Sequence, residues 1–114
     1  MPSLSEKDRV NLEAILSSAT KIEIYVEGIK SYEQFYEDEK TFDSVLMNFV
    51  VIGESVSKLS SDFRKSQPDI PWNMIKAFRN FIAHNYFGID SEEIWQLIHS
   101  HLPKLKNDIA KILE

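Results

Sequence analysis

The feature that most constrains this chain is the recurrence of apolar residues at steps of three and four along most of its length, which is the period of an amphipathic helix. Only three glycines and four prolines occur among 114 residues, which leaves little room for the frequent turns of an all-β domain. The sequence contains no internal repeat, low-complexity segment or interdomain linker. It therefore predicts one all-α domain spanning residues 1–114.

The first helix is predicted to begin near Ser3 or Ser5, because Ser5-Glu6-Lys7-Asp8 resembles a capping box, and to end near Gly28 and Ser31. The segment 31–38 is expected to form either a short helix or an ordered connection. The apolar stripe of the first helix consists of Leu12, Ile15, Leu16, Ala19, Ile22, Val26 and Ile29.

The second helix is predicted to run from about Lys40 to Arg64. Gly53 lies on its apolar stripe, where a glycine costs about 1 kcal/mol relative to alanine. Two explanations remain open: a tight crossing with another helix, or proximity to a functional site. The other stripe positions are Phe42, Val45, Leu46, Phe49, Val50, Val56, Leu59 and Phe63.

The two remaining helices follow a turn at residues 66–72. Pro71 suits the first turn of a helix that runs from Trp72 to Phe87, and Gly88 is expected to end that helix. Asp90 is a predicted N-cap for the last helix, which Pro103 should bend. The predicted fold is an up-down bundle of four main helices plus a possible short helix.

Composition narrows the setting and the partners. A net charge of −5, from 13 basic and 18 acidic residues, disfavours non-specific nucleic-acid binding, which depends on lysine and arginine. The absence of cysteine excludes disulfide scaffolds and cysteine zinc sites. No apolar run reaches the roughly 20 residues of a membrane span, and the first nine residues lack the layout of a signal peptide. A cytoplasmic protein with no membrane association is expected.

Residues 79–86, Arg-Asn-Phe-Ile-Ala-His-Asn-Tyr, place polar side chains that are costly to desolvate on an otherwise core-facing helix. Arg79 falls on or beside the apolar stripe, and a buried charge there needs a partner. Glu54, next to the stripe glycine Gly53, is the acidic residue predicted to pair with it. A purely structural tie between two helices remains the alternative.

His84 makes a reactive site the favoured interpretation, although position 84 lies about 140° round an ideal helix from position 79. Convergence would require the helix to loosen near its end or two copies to meet along it. A histidine can transfer protons near neutral pH, and an arginine can bind a phosphate with two N–H donors. Asn80 could add a donor, and Tyr86 could bind phosphate, stack on a base or be modified. These residue types suit metal-free cleavage of an RNA phosphodiester.

Metal chemistry has little support in the sequence, and no cofactor or metal is expected. His99 and His101 share a predicted helix at a spacing of two, so they do not share a face. No HExxH motif, paired-carboxylate cluster or glycine-rich phosphate loop occurs.

The arginine and the histidine with its following tyrosine resemble the R-x4-H-x-Y motif of the HepT family of HEPN-domain toxins. The similarity also covers Ile52-Gly53-Glu54 and Pro68 to Trp72. It continues downstream through Tyr86 to Asp90, Ile94-Trp95 and Leu102 to Leu105, in one order over residues 40–106.

This resemblance implies a HEPN bundle that forms a homodimer with the motif helices facing a shared cleft. It implies a metal-independent endoribonuclease acting on RNA as the toxin of a type VII toxin–antitoxin system. Arg79 and His84 would be catalytic and Asn80 would support them, while Gly53 and Glu54 match the family's Gly-Glu pair. The partner would be a minimal nucleotidyltransferase antitoxin that adds AMP to Tyr86.

Two other functions stay open on the sequence alone. One is a non-catalytic nucleotide-binding or adaptor subunit that serves a nucleotidyltransferase. The other is a structural helical dimer, which explains Gly53 and Glu54 but not His84 and Tyr86. For RNA binding, the acidic chain would have to concentrate Lys76, Arg79 and Lys104 in the cleft.

Overall fold

The computed structural model describes residues 4–85, 88 and 90–114, apart from the side chains of residues 83–85. Every regular element in these ranges is a helix, as predicted. The four long elements of the predicted bundle correspond to α1, α3, α5 and the consecutive pair α6 and α7. The helices are α1 (Glu6–Tyr25), α2 (Tyr32–Glu37), α3 (Glu39–Lys58), α4 (Ser61–Ser66), α5 (Trp72–Asn85), α6 (Ser91–Ser100) and α7 (Leu102–Leu113).

The centre of the bundle is the packing of α1 against α3. Helix α7 also packs on α1, α5 packs on α3, and α6 contacts α2 and α7. The apolar stripes predicted for the first two helices supply most of the residues that are fully shielded from solvent. The largest of these side chains are Phe35, Phe49, Leu12, Ile15, Ile22, Leu46, Ile52, Ile94 and Ile109.

Local sequence sets the beginning of several helices. The Ser5 hydroxyl accepts a hydrogen bond from the backbone N–H of Asp8, so the predicted cap of α1 is confirmed. Helix α1 ends at Tyr25, and Gly28 follows in the left-handed conformation with a φ of 82°. Ser31 caps α2, so the segment after this turn takes the helical alternative.

The predicted extent of the second helix was wrong. Helix α3 ends at Lys58, and Leu59 and Ser60 are extended before the short helix α4 begins. Ser60 accepts a hydrogen bond from the backbone N–H of Phe63 and thereby caps α4. Phe63 consequently leaves the α3 stripe, and its ring centroid lies 6.0 Å from that of Trp72.

A contact with the first turn of α1 stabilises the break between α3 and α4. The Asp8 carboxylate accepts hydrogen bonds from the Ser60 backbone N–H and hydroxyl, both at 2.7 Å. Burial raises the pKa of Asp8, but the donors of Ser60, helped by Ser5 and Lys7, outweigh it and bring the pKa below 3.8. The ionised carboxylate therefore links α1 to the start of α4.

The last predicted helix is divided rather than bent. Helix α6 ends at Ser100, and α7 begins at Leu102 with Pro103 in its first turn. Proline is tolerated there because a first-turn N–H has no helical acceptor to lose. The ion pair between Lys106 and Glu23, at 2.7 Å, then ties α7 to α1.

No helix within the described ranges combines the length and apolarity that crossing a lipid bilayer would need.

The crossing of α3 and α5 at Gly53 positions the candidate site. A β-carbon added to Gly53 would lie 3.1 Å from both the Cβ and the backbone nitrogen of Arg79, and 3.3 Å from the carbonyl oxygen of Lys76. Two of these three atoms belong to the α5 backbone. A side chain here would force α5 to shift by a few tenths of an ångström, so glycine allows the helices to approach this closely without displacement. The tight-crossing explanation is confirmed at a point that also touches Arg79.

Replacing Asp8 by alanine should lower the free energy of unfolding by about 1–3 kcal/mol at pH 7, since it strands two donors that the carboxylate satisfies. Because the folded-state pKa is lowered, this contribution is present above the unfolded pKa of about 3.9 and is lost as pH falls through the folded value. Urea unfolding of wild type and variant at pH 7 and at about pH 2.5 measures the difference. Glu13→Ala, exposed on α1, is the control, and an equal loss at both pH values would contradict this account.

Gly53→Ala should lower the free energy of unfolding by about 1 kcal/mol, because overpacking against the α5 backbone outweighs the helix-propensity gain of about 1 kcal/mol. Thermal and urea unfolding measure this, with Ser17→Ala at an exposed α1 position as the control. A stabilised Gly53→Ala protein would show instead that α5 can move away from α3 without cost.

Candidate functional site

The start of α5 is fixed by the segment that precedes it. Helix α5 begins at Trp72 as predicted, and Pro71 lies just before its first turn rather than within it. The carbonyl of Pro71 accepts the first helical hydrogen bond, from the N–H of Ile75 at 3.1 Å. Trp72 is buried, and its indole N–H donates to the carbonyl of Gln67 at 3.1 Å. The motif helix therefore begins from a fixed anchor.

Along its length, α5 packs one face onto α3. Ile75 and Ile82 are buried, and the ring of Phe78 meets that of Phe49 edge to face at 5.5 Å. The Gly53 crossing lies beside this contact and brings Arg79 to the flank of the helix pair. The position of Arg79 thus follows from the register of α5 on α3.

Arg79 and Glu54 form the ion pair that the sequence predicts. The arginine Nη1 lies 2.8 Å from Oε1 of Glu54, with 34% of the arginine side chain and 42% of the glutamate side chain exposed. A half-exposed pair of this kind contributes little stability, typically 0–1 kcal/mol. Its main effect is to restrict the rotamers of a guanidinium that carries five N–H donors and remains open to solvent.

The other predicted site residues are described only in part. Asn80 is exposed on α5, next in sequence to Arg79. His84 belongs to α5, but its side chain is not among those described, and Tyr86 lies outside the described residues. The predicted termination of α5 by Gly88 depends on residues 86 and 87 and also lies outside them. The roles predicted for Asn80, His84 and Tyr86 stay predictions.

The backbone of α5 bears on how the site could be assembled. It is helical through Asn85, so the helix does not loosen between positions 79 and 85. Those positions therefore keep the spacing of a regular helix, in which 79 and 84 are about 140° apart. A loosening nearer Gly88 would involve residues 86 and 87, which lie outside the described residues. Both routes to convergence, that loosening and a meeting of two copies, stay predictions.

The predicted cationic residues separate into two groups. Lys76 is exposed on α5, one turn before Arg79. Lys104 instead forms an ion pair with Asp108 at 2.9 Å, and this hydrogen bond raises the pKa of Lys104. It lies on α7, bordering an apolar pocket whose lining includes Ile75 and Phe78 of α5.

One exposed cation near Glu54, Lys58, is not part of the sequence motif. It lies four residues after Glu54 on α3, so both residues share a face of that helix. This spacing is the sequence signal that could have found it.

Histidine and carboxylate groups are dispersed in the part of the chain that the structure describes. No three His, Asp or Glu side chains there lie close enough to hold a metal ion. His99 Nδ1 lies 2.9 Å from the carbonyl oxygen of Trp95, and its ring centroid lies 4.2 Å from that of the Trp95 indole, with the rings tilted by 52°. His101 is exposed at the break between α6 and α7.

Several curated relatives are similar to this sequence over most of its length. A probable ribonuclease HepT of Thermococcus cleftensis is 32% identical over 101 residues, which are 89% of this chain and 91% of that protein. A candidate RNase of Methanocaldococcus jannaschii is 30% identical over 107 residues, covering 93% of this chain and 97% of the relative. No solved structure is significantly similar.

Another relative differs in length. A protein of Methanocaldococcus jannaschii named as a gamma-glutamylcyclotransferase and candidate RNase is 32% identical over 106 residues. These residues are 93% of this chain but 47% of that protein. The chain thus spans about half of this relative.

The family model described as Ribonuclease HepT-like matches residues 15–112, a range that contains the Gly53 crossing, the Glu54–Arg79 pair and the whole motif segment. The chain belongs to the HepT-like ribonuclease family.

Proposed function

We propose that this chain is a metal-independent endoribonuclease, and that the described helices form one HEPN domain built to carry that activity. The observation that carries the proposal is the position of Arg79, which is solvent-accessible and lies on the same helix as His84. Its guanidinium is held by Glu54 of α3 at 2.8 Å. Membership of the HepT-like ribonuclease family supports the same activity. A half-exposed pair adds little as a structural tie, which weakens the purely structural alternative.

The proposed reaction uses proton transfer and charge stabilisation. The ribose 2′-oxygen attacks the adjacent phosphorus while its proton passes to a base, and the P–O5′ bond breaks as the 5′-oxygen gains a proton. His84 serves as the proton-transfer group, since imidazole titrates near neutral pH. Arg79 donates N–H groups to the phosphate oxygens on which negative charge develops, and Asn80 adds a neutral donor.

A homodimer completes this proposed site. Positions 79 and 84 diverge on one helix, so two copies of α5 facing one cleft could combine an arginine from each with a histidine. Met47 and Val51 on α3 are 62% and 36% exposed, and they share a helical face with Glu54 beside the site. Covering this apolar surface by a second copy would stabilise the dimer.

The biological setting proposed is that of a cytoplasmic toxin held in check by an antitoxin. The partner is a minimal nucleotidyltransferase that transfers AMP from ATP to the Tyr86 hydroxyl. In this step the tyrosine oxygen bonds to the α-phosphorus, pyrophosphate leaves and the hydroxyl proton is released. The added phosphate brings negative charge to the motif segment, where it would repel RNA. Support for this setting is the match of the motif to its family.

Incubation of the purified full-length protein with RNA in excess EDTA should give cleavage that falls at least about 100-fold in His84→Ala, because general acid–base catalysis contributes roughly that much or more. The matched control is His99→Ala, which changes the same residue type on α6 and should stay within about twofold of wild type. Gel analysis of labelled RNA gives the rates. Cleavage that EDTA abolishes, or that is equal in wild type and His84→Ala, would refute the proposal. If RNA stays intact while a nucleotidyltransferase binds, the adaptor function is favoured instead.

Co-expression with a cognate minimal nucleotidyltransferase should add one or more adenylyl groups to Tyr86. Intact-mass and peptide mass spectrometry measure the modification, which Tyr86→Phe should abolish because it removes the nucleophilic oxygen. Tyr36→Phe, at a tyrosine that is 59% exposed on α2, should leave it unchanged. Adenylyl groups on another residue would count against the assignment, as would their complete absence.

A further inference from the structure

Positive charge is concentrated in one part of this acidic chain. Residues 55–85 contain five basic residues against two acidic ones, Asp62 and Asp69, whereas the rest of the chain contains eight basic and sixteen acidic residues. This stretch comprises the end of α3, all of α4 and α5. Its basic residues are Lys58, Arg64, Lys65, Lys76 and Arg79.

Two of these lysines border the Glu54–Arg79 pair. Lys58 follows Glu54 by four residues on α3, and Lys76 precedes Arg79 by three residues on α5, so each lies about one turn from its member of the pair. The two helices touch at Gly53, which contacts the backbone of both Lys76 and Arg79. We call the exposed side chains of Lys58, Lys76 and Asn80 around the pair the Lys58–Lys76 face.

The lysines of this face are available to a ligand. Both are exposed, and within the described ranges neither has a carboxylate at ion-pair distance. Lys104 and Lys106 on α7 are in the opposite condition, because Asp108 and Glu23 hold them at 2.9 Å and 2.7 Å. An uncompensated cation can release counterions on binding phosphate, whereas a paired one must first lose its partner.

We propose that the Lys58–Lys76 face binds the backbone phosphates of the RNA strand next to the phosphate that Arg79 contacts. This inference rests on the proposed ribonuclease function and names the residues that position its substrate. The acidic remainder of the surface repels a polyanion, so this face sets the direction from which RNA reaches the site. It also removes Lys104 from the set of cations that the sequence suggested for RNA binding.

The test measures binding separately from cleavage, in a His84→Ala background that keeps the RNA intact. Lys58→Gln and Lys76→Gln should each weaken binding of a fluorescent single-stranded RNA roughly 5- to 10-fold at about 50 mM salt. Each should also reduce the slope of log K against log salt by about 0.7, since one phosphate contact is lost. Lys21→Gln, which removes an exposed lysine of α1, is the matched control and should change neither quantity.

Cleavage by the same lysine variants in the wild-type background should show a higher KM and a nearly unchanged kcat, as expected for positioning residues outside the reacting atoms. Circular dichroism and thermal unfolding check that the variants fold, and Lys58→Arg and Lys76→Arg, which keep the charge, should restore binding. If Lys58→Gln and Lys76→Gln match Lys21→Gln in affinity and salt slope, the inference is overturned even where RNA cleavage is found. If the lysine variants instead lose binding to a protein partner while their RNA binding stays intact, the inference is overturned as well. Absence of cleavage with the predicted binding losses would refute the ribonuclease and leave an RNA-binding face.

Discussion

The approach of α3 to α5 at Gly53 is the constraint on which the candidate site depends. Without a side chain at this position, the backbone of α5 comes within van der Waals distance of α3, and Arg79 is placed where Glu54 can hold it at 2.8 Å. The same packing buries Ile75 and Ile82 and sets Phe78 against Phe49. One small residue on the core stripe therefore fixes both the packing of the motif helix and the orientation of its guanidinium.

The electrostatics of the site follow from its place at the edge of this packing. Arg79 is about one-third exposed, so water screens its pairing with Glu54 and the pair costs little to open toward a ligand. Asp8, in contrast, is shielded from water and is only 4% exposed. Both of its carboxylate oxygens accept hydrogen bonds from Ser60, and its pKa is lowered. The chain thus uses one carboxylate to hold its fold together and another to orient the guanidinium of Arg79.

The helical pattern predicts much of the fold because burial of one apolar face dominates helix placement. The pattern fails at the end of α3, which depends on a contact distant in sequence, and at the start of α7, where a proline interrupts the apolar repeat. Phe63 continues the α3 stripe in sequence, yet α3 stops at Lys58 because Ser60 is bound by Asp8, which is 52 residues away. Pro103 was expected to bend one continuous helix. Instead, it lies in the first turn of a separate helix, α7, which begins at Leu102.

The sequence by itself determined the all-α class, the N-caps at Ser5 and Asp90, the motif of Arg79 and His84, and Glu54 as the partner of the arginine. These follow from local periodicity, hydrogen-bonding capacity and the cost of an unpaired charge, all of which act along one helix or at one position. Only the tertiary structure decided that Gly53 lies against the α5 backbone, that Lys104 is paired while Lys58 and Lys76 are exposed, and that the ion pair is half solvated. These properties depend on which helix faces are brought together, and residues far apart in the chain set that arrangement through packing.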